Sequence, residues 1–241
     1  MAGGIFGDVW DPKHNVVPRF PVPAEWRLDR AFDWGSSKPF SVGWWAESDG
    51  SDVFIPGRGW TSTVRGDLFH IDEWYGWTGR PNQGVQMLAV DVAKGIVERE
   101  LAWGISGRVK AGPADSSIYD VENGVSIGQD MAKPVRIGER MHRGVSWTRA
   151  DKRPGSRKAG WELARIFFKA AHQGDLPREH PGLFVMDNCK QFIRTVPVLP
   201  RDERDMDDAD TDAEDHIADE MRYRVRATRN RAGSATTVGL Y

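Results

Sequence analysis

Residues 26–46, WRLDRAFDWGSSKPFSVGWWA, decide the fold class. Trp26, Leu28, Phe32 and Trp34 alternate with Arg27, Asp29, Ala31 and Asp33, which is the period of a β-strand, so a strand is predicted from Trp26 with Asp33 at its end. The turn formers of GSSKP then reverse the chain, and residues 40–46 return as the second strand of a hairpin. After ESDGSD, residues 53–55 and 67–75 read as further strands, which makes an antiparallel meander. Beyond Pro81 the texture changes. Val85, Leu88, Val92 and Ile96 have helical spacing, and residues 85–101 are predicted as a helix. Short strands follow at 108–114, ending at Asp115, and at 145–148, with a helix at 126–132 between them. The best amphipathic helix covers 156–172; then come a strand at 183–186, a helix at 189–195 and a last helix from 212 to about 227. Antiparallel strands followed by alternating helix and strand predict a mixed sheet flanked by helices in one α/β domain. Residues 1–24 read as a lead-in segment packed on the surface, and those after Thr228 as a flexible tail.

The 241 residues, 39% of them hydrophobic, are enough for a sizeable core. Cys189 is the only cysteine, which excludes an internal disulfide and a cysteine-based zinc cluster and fits a reducing compartment. No apolar run approaches the roughly 18 residues of a membrane span, and no basic segment leads into an apolar core at the start, so a soluble intracellular chain is expected. The net charge of −2 conceals segregation: residues 201–220 hold eleven acids, and Arg222, Arg224, Arg226, Arg229 and Arg231 follow.

Within that segregated region lies AEDHIADEMRYRV, residues 213–225. On a helix, Asp215 and Asp219 share one face, beside the apolar stripe of Ile217, Ala218, Met221 and Val225. Carboxylates at the edge of a buried face repel one another, and a divalent cation would neutralise them; acids at a solvated helix start are the alternative. Asp33 and Asp115 tip the balance, because both sit at predicted strand ends, where ligands gather in open α/β sheets. Oxygen-only ligands suit Mg²⁺ or Mn²⁺, and two such ions about 3.5–4 Å apart can stabilise both the attacking water and the leaving oxygen of a phosphodiester. Taken singly, Asp33 could be a turn residue, Asp115 a cap, and His216 a ligand or a supporting group. Glu73 reads as a rim salt bridge or a fourth acidic neighbour. Arg149, Lys152, Arg153, Arg157, Lys158, Arg165 and Lys169 face only Asp151 and Glu162 in residues 149–169, a plausible seat for a nucleic-acid backbone, with Lys152 and Arg157 the preferred contacts.

Four segments, FDWGSSKPFSVGWWA (32–46), GPADSSIY (112–119), ADKRPGSRKAGW (150–161) and EDHIADEMRYR (214–224), together resemble the C-terminal nuclease domain of the large terminase subunit of tailed bacteriophages. The resemblance implies a ribonuclease H-like fold over residues 26–228, preceded by a lead-in from a domain linker (1–25) and followed by a tail (229–241). It implies a metal-dependent endonuclease that cuts concatemeric double-stranded viral DNA, with two Mg²⁺ or Mn²⁺ ions on Asp33, Asp115 and Asp219, Asp215 as a further metal acid and His216 as an auxiliary group. Lys152, Arg153, Arg157 and Lys158 are the expected DNA contacts. The implied partners are a packaging ATPase domain, a portal and a small terminase subunit, in the host cytoplasm and not in the mature virion. No G-x-x-x-x-G-K-[ST] loop occurs, so ATP hydrolysis is not expected of this chain. Two alternatives remain: a resolvase-like or RNA–DNA hybrid nuclease of the same fold, and a catalytically silent module whose basic tail docks on a portal or capsid protein.

Overall fold

The computed structural model describes residues 4–122, 124–172 and 177–235. The expected hairpin forms its centre: β2 (Arg27–Asp33) pairs antiparallel with β3 (Ser41–Glu47), Asp33 opposite Ser41, and β3 pairs antiparallel with β4 (Leu68–Tyr75) through a register shift at Trp44/Trp45. On the far side of β4, β8 (Leu183–Met186) and then β1 (Val16–Val17) add in parallel. On the open side of β2, β5 (Val109–Lys110) and β6 (Pro113–Ala114) both run parallel to it, and β7 (Thr148–Arg149) runs parallel to β6. Among the described residues this gives an eight-stranded mixed sheet in the order β1-β8-β4-β3-β2-β6-β7, with β5 also beside β2.

Helices cover both faces. Helix α1 (Ala89–Ala102) lies on the face of Arg30 and Trp44, while α3 (Ser156–Ala170) and α5 (His216–Ala235) lie on the face of Asp29, Asp33 and Trp45. Two shorter helices, α2 (Ile127–Ala132) and α4 (Lys190–Thr195), complete the layers; Ser126 and Gln129 form a capping box at the start of α2. The double cover explains why β2 departs from the expected apolar and polar faces. Asp29, Arg30 and Asp33 are all buried, and Asp29 and Arg30 are matched by Arg224 and Glu100 from the two helical layers. Gly43 lets α5 come close, since a Cβ there would run into the Glu220 carboxylate.

Several expectations change. The strand expected at 108–114 is split in two: Leu28 pairs with Val109 and Phe32 with Ala114, so four steps along β2 are matched by five on its partner. That extra residue is a bulge next to Pro113, which has no N–H to donate. Residues Val53–Ile55 form a separate hairpin with Gly59–Thr61 and do not join the central meander. An unanticipated hairpin, Val135–Ile137 with Arg140–His142, precedes β7. The lead-in segment is no surface strap: Ile5, Phe6, Val9, Val17 and Phe20 are buried, and Asn15 donates to Phe168 O at 3.0 Å and Leu183 O at 3.2 Å. Helix α5 continues to Ala235, past the expected start of the tail, and residues 236–241 lie outside the described residues. Among the described residues no helix is long and apolar enough to cross a membrane.

Candidate active site

Asp33 ends β2, and Asp115 follows β6 directly. The Asp115 N–H donates to Phe32 O at 3.0 Å, so the parallel pairing itself sets the two carboxylates side by side at neighbouring strand ends. Helix α5 brings the remaining groups. Its apolar stripe, Ile217, Ala218, Met221 and Val225, is buried as the spacing predicted, and this turns Asp215, His216, Asp219 and Tyr223 toward the strand ends. His216 Nδ1 lies 3.2 Å from Asp33 Oδ2. The Tyr223 hydroxyl reaches both strand-end acids, 3.4 Å from Asp33 Oδ1 and 3.1 Å from Asp115 Oδ2. Tyr223 was missed in the sequence, although it stands four residues after Asp219 on the same helix face.

Electrostatics tie the group together. Burial pushes the Asp33 carboxyl up to about 7, the like charges of Asp219 and Asp115 add to this, and His216 opposes it. Burial lowers the His216 imidazole, but its hydrogen bond to Asp33 and the Asp33 and Asp215 charges outweigh that and leave it raised. A proton held between Asp33 and His216 meets both demands. Asp215 is raised by burial and by Asp219. Burial also raises Asp115, yet the Lys152 ammonium, 2.6 Å from both of its oxygens, and the Ser117 amide outweigh it and hold the carboxyl low.

The basic stretch behaves differently from its sequence reading. Lys152 sits on Asp115. Arg157 is largely buried and bridges Asp208 (2.7 Å), Asp215 (3.2 Å) and Asp219 (3.8 Å). Arg153 and Lys158 are solvent-facing but pair with Asp151 and Asp205. Arg222 closes on Asp219 at 3.0 Å, and Arg224 is fully buried between Asp29 and Glu47, so neither belongs to an open basic patch. Asp208, from the acidic loop expected to be mobile, also accepts from the Trp161 indole at 2.8 Å. Glu73 is neither a rim bridge nor an acidic neighbour of the site: its two oxygens accept from the Gln191 and Phe192 amides at the start of α4.

For a divalent cation the donor chemistry fits. Asp33, Asp115, Asp215 and Asp219 offer oxygen only, burial and then the repulsion of neighbouring acids raise Asp33 and Asp215, and an ammonium already stands against both oxygens of Asp115. No three His, Cys, Asp or Glu side chains among the described residues are drawn in around a single ion position. The acids instead face Lys152, Arg222, Arg157 and His216.

No family model matches the chain, and no curated protein matches it in sequence. Solved structures do match in fold. The large terminase of a thermophilic bacteriophage superposes with a TM-score of 0.63 at 16% identity, over 94% of this chain and 45% of that one, so the chain spans less than half of that protein. The P22 large terminase nuclease domain gives 0.59 at 15% identity, over 95% of this chain and 97% of the other. The large terminase nuclease of thermophilic phage G20c, solved with bound cobalt, gives 0.50 at 10% identity over 94% and 98%. With its mixed sheet clasped between helices, this chain has the fold of the large terminase nuclease domains.

Proposed function

We propose that the chain is a metal-dependent endonuclease that cuts double-stranded viral DNA during genome packaging. The observation that carries the reading is the pairing of Asp33 and Asp115 at the ends of two adjacent parallel strands, both within reach of the Tyr223 hydroxyl, with the Asp219 charge from the crossing helix helping to raise Asp33. The fold shared with the P22 nuclease domain supports it, and the cobalt bound by the G20c nuclease agrees with an oxygen-rich cation site.

Asp33, Asp115 and Asp219 would hold Mg²⁺ or Mn²⁺, with Asp215 the further acid. When bound, a pair of such ions supplies Lewis acidity toward the phosphoryl oxygens and lowers the pKa of the attacking water. The chain's own groups prepare that site. His216 holds the Asp33 carboxylate in one orientation and stores a proton beside it. The Tyr223 hydroxyl fixes the spacing between Asp33 and Asp115. Arg222 and Arg157 brace Asp219 from behind, so that its carboxylate enters the site without swinging. Lys152 neutralises Asp115 until a cation replaces it, and is then free to meet the phosphodiester. Arg157, tied to three carboxylates, acts as a brace, and this transfers its expected DNA contact to other cations.

The test is digestion of supercoiled plasmid with Mn²⁺. Wild type should nick and linearise it, and Asp33→Asn should leave it intact; cutting by purified Asp33→Asn at the wild-type rate would overturn the reading. Branched DNA and RNA–DNA hybrid compared with linear duplex separate the resolvase-like alternative. Calorimetry with Mn²⁺ separates the silent docking module, for which Asp219→Asn should leave the Mn²⁺ titration unchanged.

A further inference from the structure

Beside Tyr223 lies a cavity of about 240 Å³ whose walls include Arg27, Arg149 and Arg226. One water molecule needs about 10–15 Å³ of such space, so the cavity has room for a tetrahedral oxyanion with its substituents. Tyr223, whose hydroxyl reaches Asp33 and Asp115, also lines the cavity, as does Pro113, two residues before Asp115.

The charges around this cavity leave an unmatched cation. Asp29 is met by both Arg27 at 3.0 Å and Arg224 at 2.5 Å, and Asp151 by both Arg153 at 2.9 Å and Arg226 at 2.5 Å. Each carboxylate of the cavity therefore already faces two guanidinium groups. Arg149 differs from all four: it is exposed and lies over the Tyr119 ring at 4.3 Å, and among the described residues it takes no ion pair. The Arg226 Nε is buried and has no hydrogen-bond partner. A buried donor without an acceptor is costly, so the Arg226 side chain, which also lines the cavity, is not fully satisfied by Asp151. Planar guanidinium groups such as those of the arginines lining this cavity are the donors that bind phosphate.

We propose that this cavity is a subsite for a backbone phosphodiester of the DNA, one that flanks the scissile bond, with Arg149 and Arg226 as its donors and Arg27 at its rim. The inference rests on the nuclease reading and names where that reading's DNA is gripped. It moves the grip from the start of α3, where Arg153, Arg157 and Lys158 are already spent on carboxylates, to the groove between β7 and α5.

The test is binding of a fluorescent linear duplex followed by anisotropy in EDTA, where nothing is cut, over a series of salt concentrations. Arg149→Ala should weaken binding by roughly tenfold and lower the slope of log K against log salt by about 1, the signature of one phosphate fewer neutralised. Arg149→Glu should weaken it further, and Arg149→Lys should recover part of it. Arg226→Ala should show the same slope change, with circular dichroism checking its fold. Lys94→Ala, on the opposite helical layer, should match wild type. If wild type binds and cuts DNA while Arg149→Ala and Arg149→Glu keep its slope and affinity, the subsite is overturned and the nuclease reading stands. If wild type neither binds nor cuts duplex DNA, both fall.

Discussion

Asp33→Asn should make the metal-free protein more stable as it abolishes cutting, and the gain should depend on pH. Burial together with the charges of Asp219 and Asp115 raises the Asp33 carboxyl from its ordinary 3.8 to about 7. Because the folded value lies above the unfolded one, the folded state keeps a proton that the unfolded chain has released between those two values. Stability contributed by this residue therefore falls as pH rises from about 4 to about 7, and the full cost is present above that window. About three pH units at 1.36 kcal/mol each give on the order of 4 kcal/mol. Asparagine resembles the neutral acid in shape and carries no charge, so in EDTA at pH 8 the variant should gain up to that amount, which for a chain of this size is roughly 10 °C in Tm. At pH 4 the two proteins should melt together. Mn²⁺ should raise the wild-type Tm at pH 8 and leave the variant nearly unmoved, because the cation then does for Asp33 what the substitution does. The assay is urea and thermal unfolding at pH 4, 6 and 8, with EDTA or with Mn²⁺. A variant no more stable than wild type at pH 8, or one equally stabilised at pH 4 and pH 8, would refute the reasoning that crowded charge strains this site.

Tyr223→Phe should keep the fold, since the ring stays packed, but lose the hydroxyl between Asp33 and Asp115; a drop of roughly tenfold to a hundredfold in plasmid cutting with an unchanged circular dichroism spectrum is expected. His70, fully buried between Trp45 and Phe192, is lowered by burial from 6.5 to about 4. Its folded value lies below the unfolded one, so the contribution of His70 to stability should fall by roughly 3 kcal/mol on acidification from about pH 6.5 to 4, and His70→Gln should gain on wild type by up to that amount in urea titrations across that range. Gly43→Ala should cost about 1–3 kcal/mol by driving a methyl group into Glu220, and Glu220→Ala should recover part of that in a double-mutant cycle followed by thermal melts.

The elements legible in the sequence were those whose signal is local. The β2–β3 hairpin is announced by period-two alternation around a turn, and α3 and α5 by apolar stripes at helical spacing. Strands β1, β5, β6 and β7 are two residues long and exist because a distant partner holds them: Val16 pairs with Val185, and Arg149 with Ala114. Two residues carry no period, so such strands cannot be read from a window. The same division governs the site. Asp33, Asp115 and Asp219 could be singled out because strand ends and a helix face are local properties. The fate of the cations could not, because their partners are remote: Arg157 meets Asp208 across 51 residues, Lys152 meets Asp115 across 37, and Arg224 meets Asp29 across 195. A run of arginines in sequence gives charge density, but only the fold tells which charges are already matched. Once matched cations are set aside, Arg149 emerges at the edge of the run, although composition alone gave it no distinction from Arg153 or Arg157.

Helix α5 links the core to the chemistry through two stripes on one rod. Ile217, Glu220, Arg224 and Thr228 fall at intervals of three and four and lie toward β2 and β3, where Glu220 accepts from the Trp45 indole at 2.6 Å and Arg224 is clamped by Asp29 and Glu47. Asp219, Tyr223 and Arg226 form the adjoining stripe, which runs from the strand-end acids to the arginine-lined cavity. The buried stripe fixes both the rotation and the translation of the helix, since Glu220 and Arg224 each have a specific partner across the interface, and a slip of one residue would leave a buried carboxyl and a buried guanidinium without theirs. The positions of Asp219 and Tyr223 beside Asp33 and Asp115 are therefore inherited from contacts on the stripe next to them. This accounts for polar groups being kept in a core that apolar side chains could fill: an apolar stripe tolerates small rotations, while a helix keyed by Trp45–Glu220 and Asp29–Arg224 presents its carboxylate and its hydroxyl at one angle.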